Sequence, residues 1–101
     1  SSLDSLKKDI RIMFKKLTPQ EMQIYTTLYR LSEEGFIVDY SLLASKTSLT
    51  ESSIRDYILK LTKKGIPIEK VKENNKKIIL SIPKDFKKVA PLSIIVSLRN
   101  L

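Results

Sequence analysis

The stretch VDYSLLASKTSLTESSIRDYILKLTKKG, residues 38–65, decides the fold. Asp39 can accept a backbone N–H left free in a first helical turn, so it opens a short helix over 40–46. Thr50 does the same for a second helix over 51–64. There Leu49 stands at the staple position for Ile54, and Gly65 supplies a left-handed stop. Leu43, Ala44, Leu49, Ile54, Ile58 and Leu61 form the inward set, and the small side chain of Ala44 lets the two helices approach closely. Two helices joined by a turn of about four residues make a helix-turn-helix.

Working outward, Thr18-Pro19-Gln20-Glu21 reads as a capping box with proline at the first helical position. It predicts a helix from 19 to about 34 that buries Met22, Ile24, Tyr25, Leu28 and Leu31 and is stopped by Gly35. Phe36-Ile37-Val38 is a very short β-prone run. Upstream, Leu3, Leu6, Ile10, Met13 and Leu17 are spaced 3, 4, 3 and 4. That stripe fits a coiled coil with a second chain or a helix packed on its own domain.

Downstream, KVKENNKKI at 70–78 predicts a hairpin with Asn74-Asn75 as a two-residue turn, since asparagine tolerates positive φ. In that register Glu73 faces Lys76, Lys72 faces Lys77, Val71 faces Ile78 and Glu69 faces Leu80. Val71, Ile78, Leu80 and Ile82 would then face the core, with Lys70, Lys72 and Lys77 on the outer face. Paired lysines destabilise a ladder unless a polyanion covers them, although lysine also guards exposed edges against aggregation. After Pro83, Pro91 opens a last helix in which Leu92, Ile94, Ile95, Val96, Leu98 and Leu101 cover most of the circumference. It packs within the chain or against a second subunit.

The expected fold is therefore mainly α with a small β-hairpin, an α+β domain at 18–83 flanked by an N-terminal helix at 1–17 and a C-terminal helix at 84–101. A chain of 101 residues with 42% hydrophobic and 30% charged residues supports one core. It has no apolar run of membrane-spanning length and no apolar signal core, which points to the cytoplasm. Without histidine or cysteine it lacks the commonest general base and thiolate ligands, so neither enzymatic chemistry nor a metal or other cofactor is expected. Nothing signals a small-molecule pocket. Residues 1–59 balance eight basic side chains with eight acidic ones, whereas residues 60–101 hold eleven basic and three acidic. The whole net charge of +8 lies in that second part, as expected for a polyanion partner or a lysine-rich solvated surface.

The pair Leu43-Ala44, the run from Leu49 to Ile54, the Leu61 to Gly65 end and the following hairpin resemble the winged helix-turn-helix DNA-binding superfamily, in particular small archaeal transcriptional regulators. The resemblance covers about residues 18–83. It implies that helix 51–64 enters the major groove of double-stranded DNA, with Ser52, Ser53, Arg55, Asp56 and Lys60 on the DNA side. It implies a wing whose Lys70, Lys72, Asn74, Asn75, Lys76 and Lys77 hold the backbone or enter the minor groove, and a homodimer through the terminal helices. Winged helices also serve as protein-assembly modules, a use that suits the acidic Glu51 and Asp56. One departure is the turn, where Thr47-Ser48 stands in place of the usual glycine; serine takes a left-handed conformation only at some cost, so the turn is expected to differ slightly.

Overall fold

The computed structural model describes residues 1–73 and 76–101, and its chain path is mainly helical with a small antiparallel sheet. Helix α1 spans Ser2–Lys15, α2 Pro19–Glu33, α3 Tyr40–Thr47 and α4 Glu51–Lys63. Strands β1, Glu69–Lys72, and β2, Ile78–Ser81, follow, and then α5, Lys84–Val89, and α6, Leu92–Arg99. None of these helices is long and apolar enough to cross a membrane.

The predicted caps are present. Thr18 Oγ1 accepts the Glu21 N–H at 3.1 Å and Glu21 Oε1 accepts the Thr18 N–H at 2.8 Å, closing the box. Asp39 caps α3 and Thr50 caps α4 by accepting the N–H groups of Leu42 and Ser53. Three helices end in the same way, each donating an N–H back across the last turn: Phe36 to the Leu31 carbonyl, Leu49 to Ala44 and Ile66 to Leu61, each at 3.0 Å. Gly35 and Gly65 take the left-handed position in two of them. In the α3–α4 turn Ser48 takes it, at φ 58° and ψ 36°.

The core gathers Ile24, Tyr25 and Leu28 of α2, Leu43 of α3, and Ile54, Ile58 and Leu61 of α4, all at 0% exposure. Leu80 of β2 closes it from below, and Val38 bridges to Leu80 on the free side of that strand, so the Phe36-Ile37-Val38 run contributes a single bridge. Of the α1 stripe, Ile10 and Leu17 are buried, Leu6 and Met13 half-buried and Leu3 exposed. Phe14 lies outside that stripe yet is fully buried, its ring 5.1 Å from Tyr25 and 6.3 Å from Phe86. The a/d spacing misses it because the inward face follows Ile10, Phe14 and Leu17 onto the chain's own core.

The C-terminal segment holds two helices where one was expected. The short α5 precedes Pro91 and sits on α2, with Tyr29 donating its hydroxyl to the Ala90 carbonyl at 2.9 Å and Lys87 5.7 Å above the Tyr29 ring. Burial holds the Tyr29 hydroxyl above its ordinary pKa, with Glu33 adding to the effect, so it stays a donor. Helix α6 packs along α1. Its Arg99 donates to the carbonyls of Phe14 at 3.2 Å and Leu17 at 3.0 Å, adding a donor to the Phe14 carbonyl, which also takes the Leu17 N–H, and tying α6 to the end of α1.

The hairpin register differs from the expected one by a residue. Glu69 faces Ser81, Lys70 faces Leu80, Val71 faces Ile79 and Lys72 faces Ile78. The Glu73 N–H reaches the Lys77 carbonyl at 2.8 Å, closing the hairpin one residue later than a Glu73–Lys76 pair would, and Lys76 stands at φ 64°. Asn74 and Asn75, the expected turn, lie outside the described residues. Ile78, Leu80 and Ile82 keep their inward facing, but Val71 is 53% exposed and not in the core, and Lys72 does not oppose Lys77. All four β1 residues are exposed, so no apolar demand holds this strand to the expected register.

The junction of α1, α2 and α4 rests on one buried carboxylate. Glu21 is 2% exposed, and Lys64 Nζ donates to its Oε1 at 2.6 Å and to the Lys16 carbonyl at 3.0 Å. Burial alone would raise the Glu21 pKa. The Lys64 ammonium and the Thr18 N–H and hydroxyl outweigh it and hold the carboxyl below its ordinary range. Its contribution to stability is thus present above the unfolded-state value and is lost as pH falls through the lowered folded value. Glu21→Gln is expected to cost about 2 kcal/mol at neutral pH, a figure reduced because Lys64 can partly rehydrate. Urea unfolding from pH 6 to pH 2 should also show a flatter acid limb than the parent's. Ser48→Gly, which removes the Cβ penalty at a left-handed position, should stabilise by about 1 kcal/mol in the same assay.

Candidate nucleic-acid interface

Helix α4 turns Ile54, Ile58 and Leu61 inward, which by helical spacing directs Ser52, Asp56, Leu59 and Lys63 outward along one stripe. All four are exposed. Arg55 and Lys60 lie on opposite flanks of that stripe. Ser53 is half-buried, and its Oγ accepts the Thr50 hydroxyl at 2.9 Å, which draws it into the cap rather than outward.

On one flank the Arg55 guanidinium lies 5.1 Å from the centre of the Tyr40 ring, a cation–π contact that restricts its rotamers. Arg55 and Tyr40 line a cleft together with Glu51, Lys76, Lys77 and Ile78, so the first turns of α4 and the far end of the hairpin share one surface. Cross-strand partners project from the same side of a sheet. Lys70 and Lys72 therefore stand on the face that carries Leu80 and Ile78, the side packed on α2 and α3, not on the outer face. The one-residue shift moves both lysines onto that face and leaves Glu69, Val71 and Ile79 on the other. Lys60 leans over the Tyr57 ring on the far flank, 5.5 Å from its centre.

Lys77 is committed within the chain. Its Nζ is 3.0 Å from Asp39 Oδ2, while Asp39 Oδ1 accepts the Leu42 N–H at 2.7 Å. One carboxylate thus caps α3 and holds the hairpin. That N–H bond is the main cause of a lowered Asp39 pKa; partial burial opposes it and Lys77 adds to it.

Of the expected positions, Arg55, Lys76 and Lys77 come together in the cleft, whereas Lys70 and Lys72 stand exposed on β1 and do not line it. Ser52 and Asp56 point outward, Lys60 lies on the opposite flank, and Asn74 and Asn75 are outside the described residues. Sequence reasoning missed Tyr40 under Arg55, Asp39 against Lys77, and Lys63 on the outer stripe. The first two contacts are tertiary and leave no local signature. Lys63 was legible, because 52, 56, 59 and 63 follow helical spacing.

No family model, curated protein or solved structure matches the chain.

The two roles of Asp39 can be separated. Asp39→Ala should cost about 1 kcal/mol through the lost cap, and Asp39→Asn, which retains an N-cap acceptor, clearly less. The Lys77 pair adds little to either value because its ammonium is exposed. Urea denaturation of both variants measures the difference.

Proposed function

We propose that this chain is a winged helix-turn-helix module that binds double-stranded DNA in the manner of a transcriptional regulator, with α4 in the major groove and the β1–β2 hairpin as the wing. The observation that carries this reading is the surface shared by the two elements: Arg55 of α4 and Lys76 and Lys77 of the hairpin line one cleft, and Lys70 and Lys72 stand exposed on the hairpin face that carries Ile78 and Leu80. The order of helix, single bridge, helix, turn, helix and hairpin supports it. So does a major groove about 12 Å wide, which admits one α-helix.

Within this reading Arg55 is the base-reading side chain. Stacked on Tyr40, it is suited to a bidentate contact with guanine, and Asp56 on the outer stripe can accept from a cytosine amino group. Lys70, Lys72 and Lys76 neutralise phosphates without reading sequence. Helices α1 and α6, which leave Leu3, Ile12 and Ile94 exposed, are the surface through which two copies would pair on half-sites about one helical turn apart.

A second reading, a winged helix serving as a protein-assembly module, draws on Asp56 and the 46% exposed Leu59 in the middle of the α4 stripe. Salt titration of duplex binding separates the two. DNA binding predicts that Lys70→Ala with Lys72→Ala lowers affinity alike for all sequences and reduces the log–log salt slope by about 2, at ~0.9 per phosphate contact. Arg55→Ala should instead cost about 1 to 3 kcal/mol on the preferred sequence and little on others. Absence of binding to any duplex at about 50 mM salt would leave the assembly reading.

A further inference from the structure

We propose that a second polyanion contact, separate from the wing, lies where the C-terminal ends of α1 and α4 meet, and that Lys16, Lys60 and Lys63 there hold the phosphate backbone on the far side of the groove that α4 enters. The inference rests on the DNA reading above and assigns contacts that neither the first turns of α4 nor the wing can supply.

Three observations carry it. The Lys64 Nζ bond to the Lys16 carbonyl, 3.0 Å, fixes the last turn of α1 beside the last turn of α4. Lys16 itself, and Lys60 and Lys63 within four residues of Lys64, thus flank that link, and all three are exposed. Among the described residues none of the three has an acidic partner, whereas Lys64 is paired with Glu21, Lys77 with Asp39 and Lys87 with Glu33. Arg99 and Lys64 already donate to the carbonyls of Phe14, Lys16 and Leu17. The remaining lysines are thus not needed to satisfy the end of α1.

The polarity of α4 points the same way. Its solvent side carries Glu51, Arg55 and Asp56 in its first half, acidic by one charge, and Lys60 and Lys63 in its second, over a helix of 13 residues, about 20 Å at 1.5 Å per residue. The acidic half suits base edges, where a carboxylate can accept from cytosine, and is repelled by phosphates. The basic half suits phosphates. A helix lying in a groove has a backbone on each side. The wing stands on the Arg55 flank, and Lys60 and Lys16 stand on the other, with Lys63 between them on the outer stripe.

The test compares two triple variants of equal charge: Lys16→Ala, Lys60→Ala and Lys63→Ala together, against Lys8→Ala, Lys84→Ala and Lys88→Ala together. All six side chains are exposed, so both variants should keep the parent's thermal midpoint, checked first by circular dichroism. Binding to a random duplex is then followed from 50 to 200 mM salt. The first triple should lower the salt slope by about 2 to 3, at ~0.9 per phosphate, and the second by less than about 0.5. Single Lys63→Ala should lower it by about 1, a reading available even if the triple fails to fold. Equal slopes for the two triples, with the parent binding normally, would overturn the second contact and leave the wing and Arg55 reading standing. Failure of the parent to bind any duplex overturns both.

Discussion

Lys64 donates at once to a carboxylate of α2 and a carbonyl at the end of α1, and through that ammonium three helices are joined at one point. Glu21 is almost fully buried, and a buried carboxylate is tolerated only where its oxygens are saturated by donors. The same Oε1 takes the Thr18 N–H, so the cap that starts α2 and the contact that seats α4 share one oxygen atom. Displacing either helix would strand the charge. The direction in which α4 presents its outer stripe therefore depends on a residue in the first turn of α2.

A second constraint acts at the opposite end of α4. Asp39 begins α3 and also pairs with Lys77, which ties the hairpin to the helix pair. The sheet has little else to hold β1 in place, since its residues are exposed and only β2 and Val38 reach the core. Lysines at 70 and 72 along this unprotected edge discourage pairing with a second strand, because a symmetric antiparallel match about Val71 would set Lys70 against Lys72. Edge protection and phosphate contact ask for the same side chains, and one set can serve both.

Much of the fold was legible because it is written in local chemistry. Capping residues, glycine stops and apolar spacing placed α2, α3 and α4 within a residue or two, whereas the absence of glycine from the α3–α4 turn suggested an altered turn and did not show that Ser48 takes the left-handed position. The short α5 was not foreseen. Six residues with only Phe86 and Val89 apolar carry too little periodicity, and the helix owes its place to contacts with Phe14 and Tyr29. The candidate site was legible only as a set of residue types. Arg55 and the lysines could be named, but not their partners Tyr40 and Asp39, which lie far from them along the chain.

The sequence by itself determined where helices begin and end and which faces of α2 and α4 turn inward, because caps and amphipathic spacing act over three or four neighbouring residues. It also determined that the excess of positive over negative charge lies in the last two-fifths of the chain. Only the tertiary structure decided which side of the hairpin carries that charge. The alternation Glu69-Lys70-Val71-Lys72 fits either register, and a shift of one residue exchanges the two faces. The hydrogen bond closing the hairpin at Lys77 and the β1–β2 pairing settle it, setting Lys70 and Lys72 on the face that carries Leu80 and Ile78.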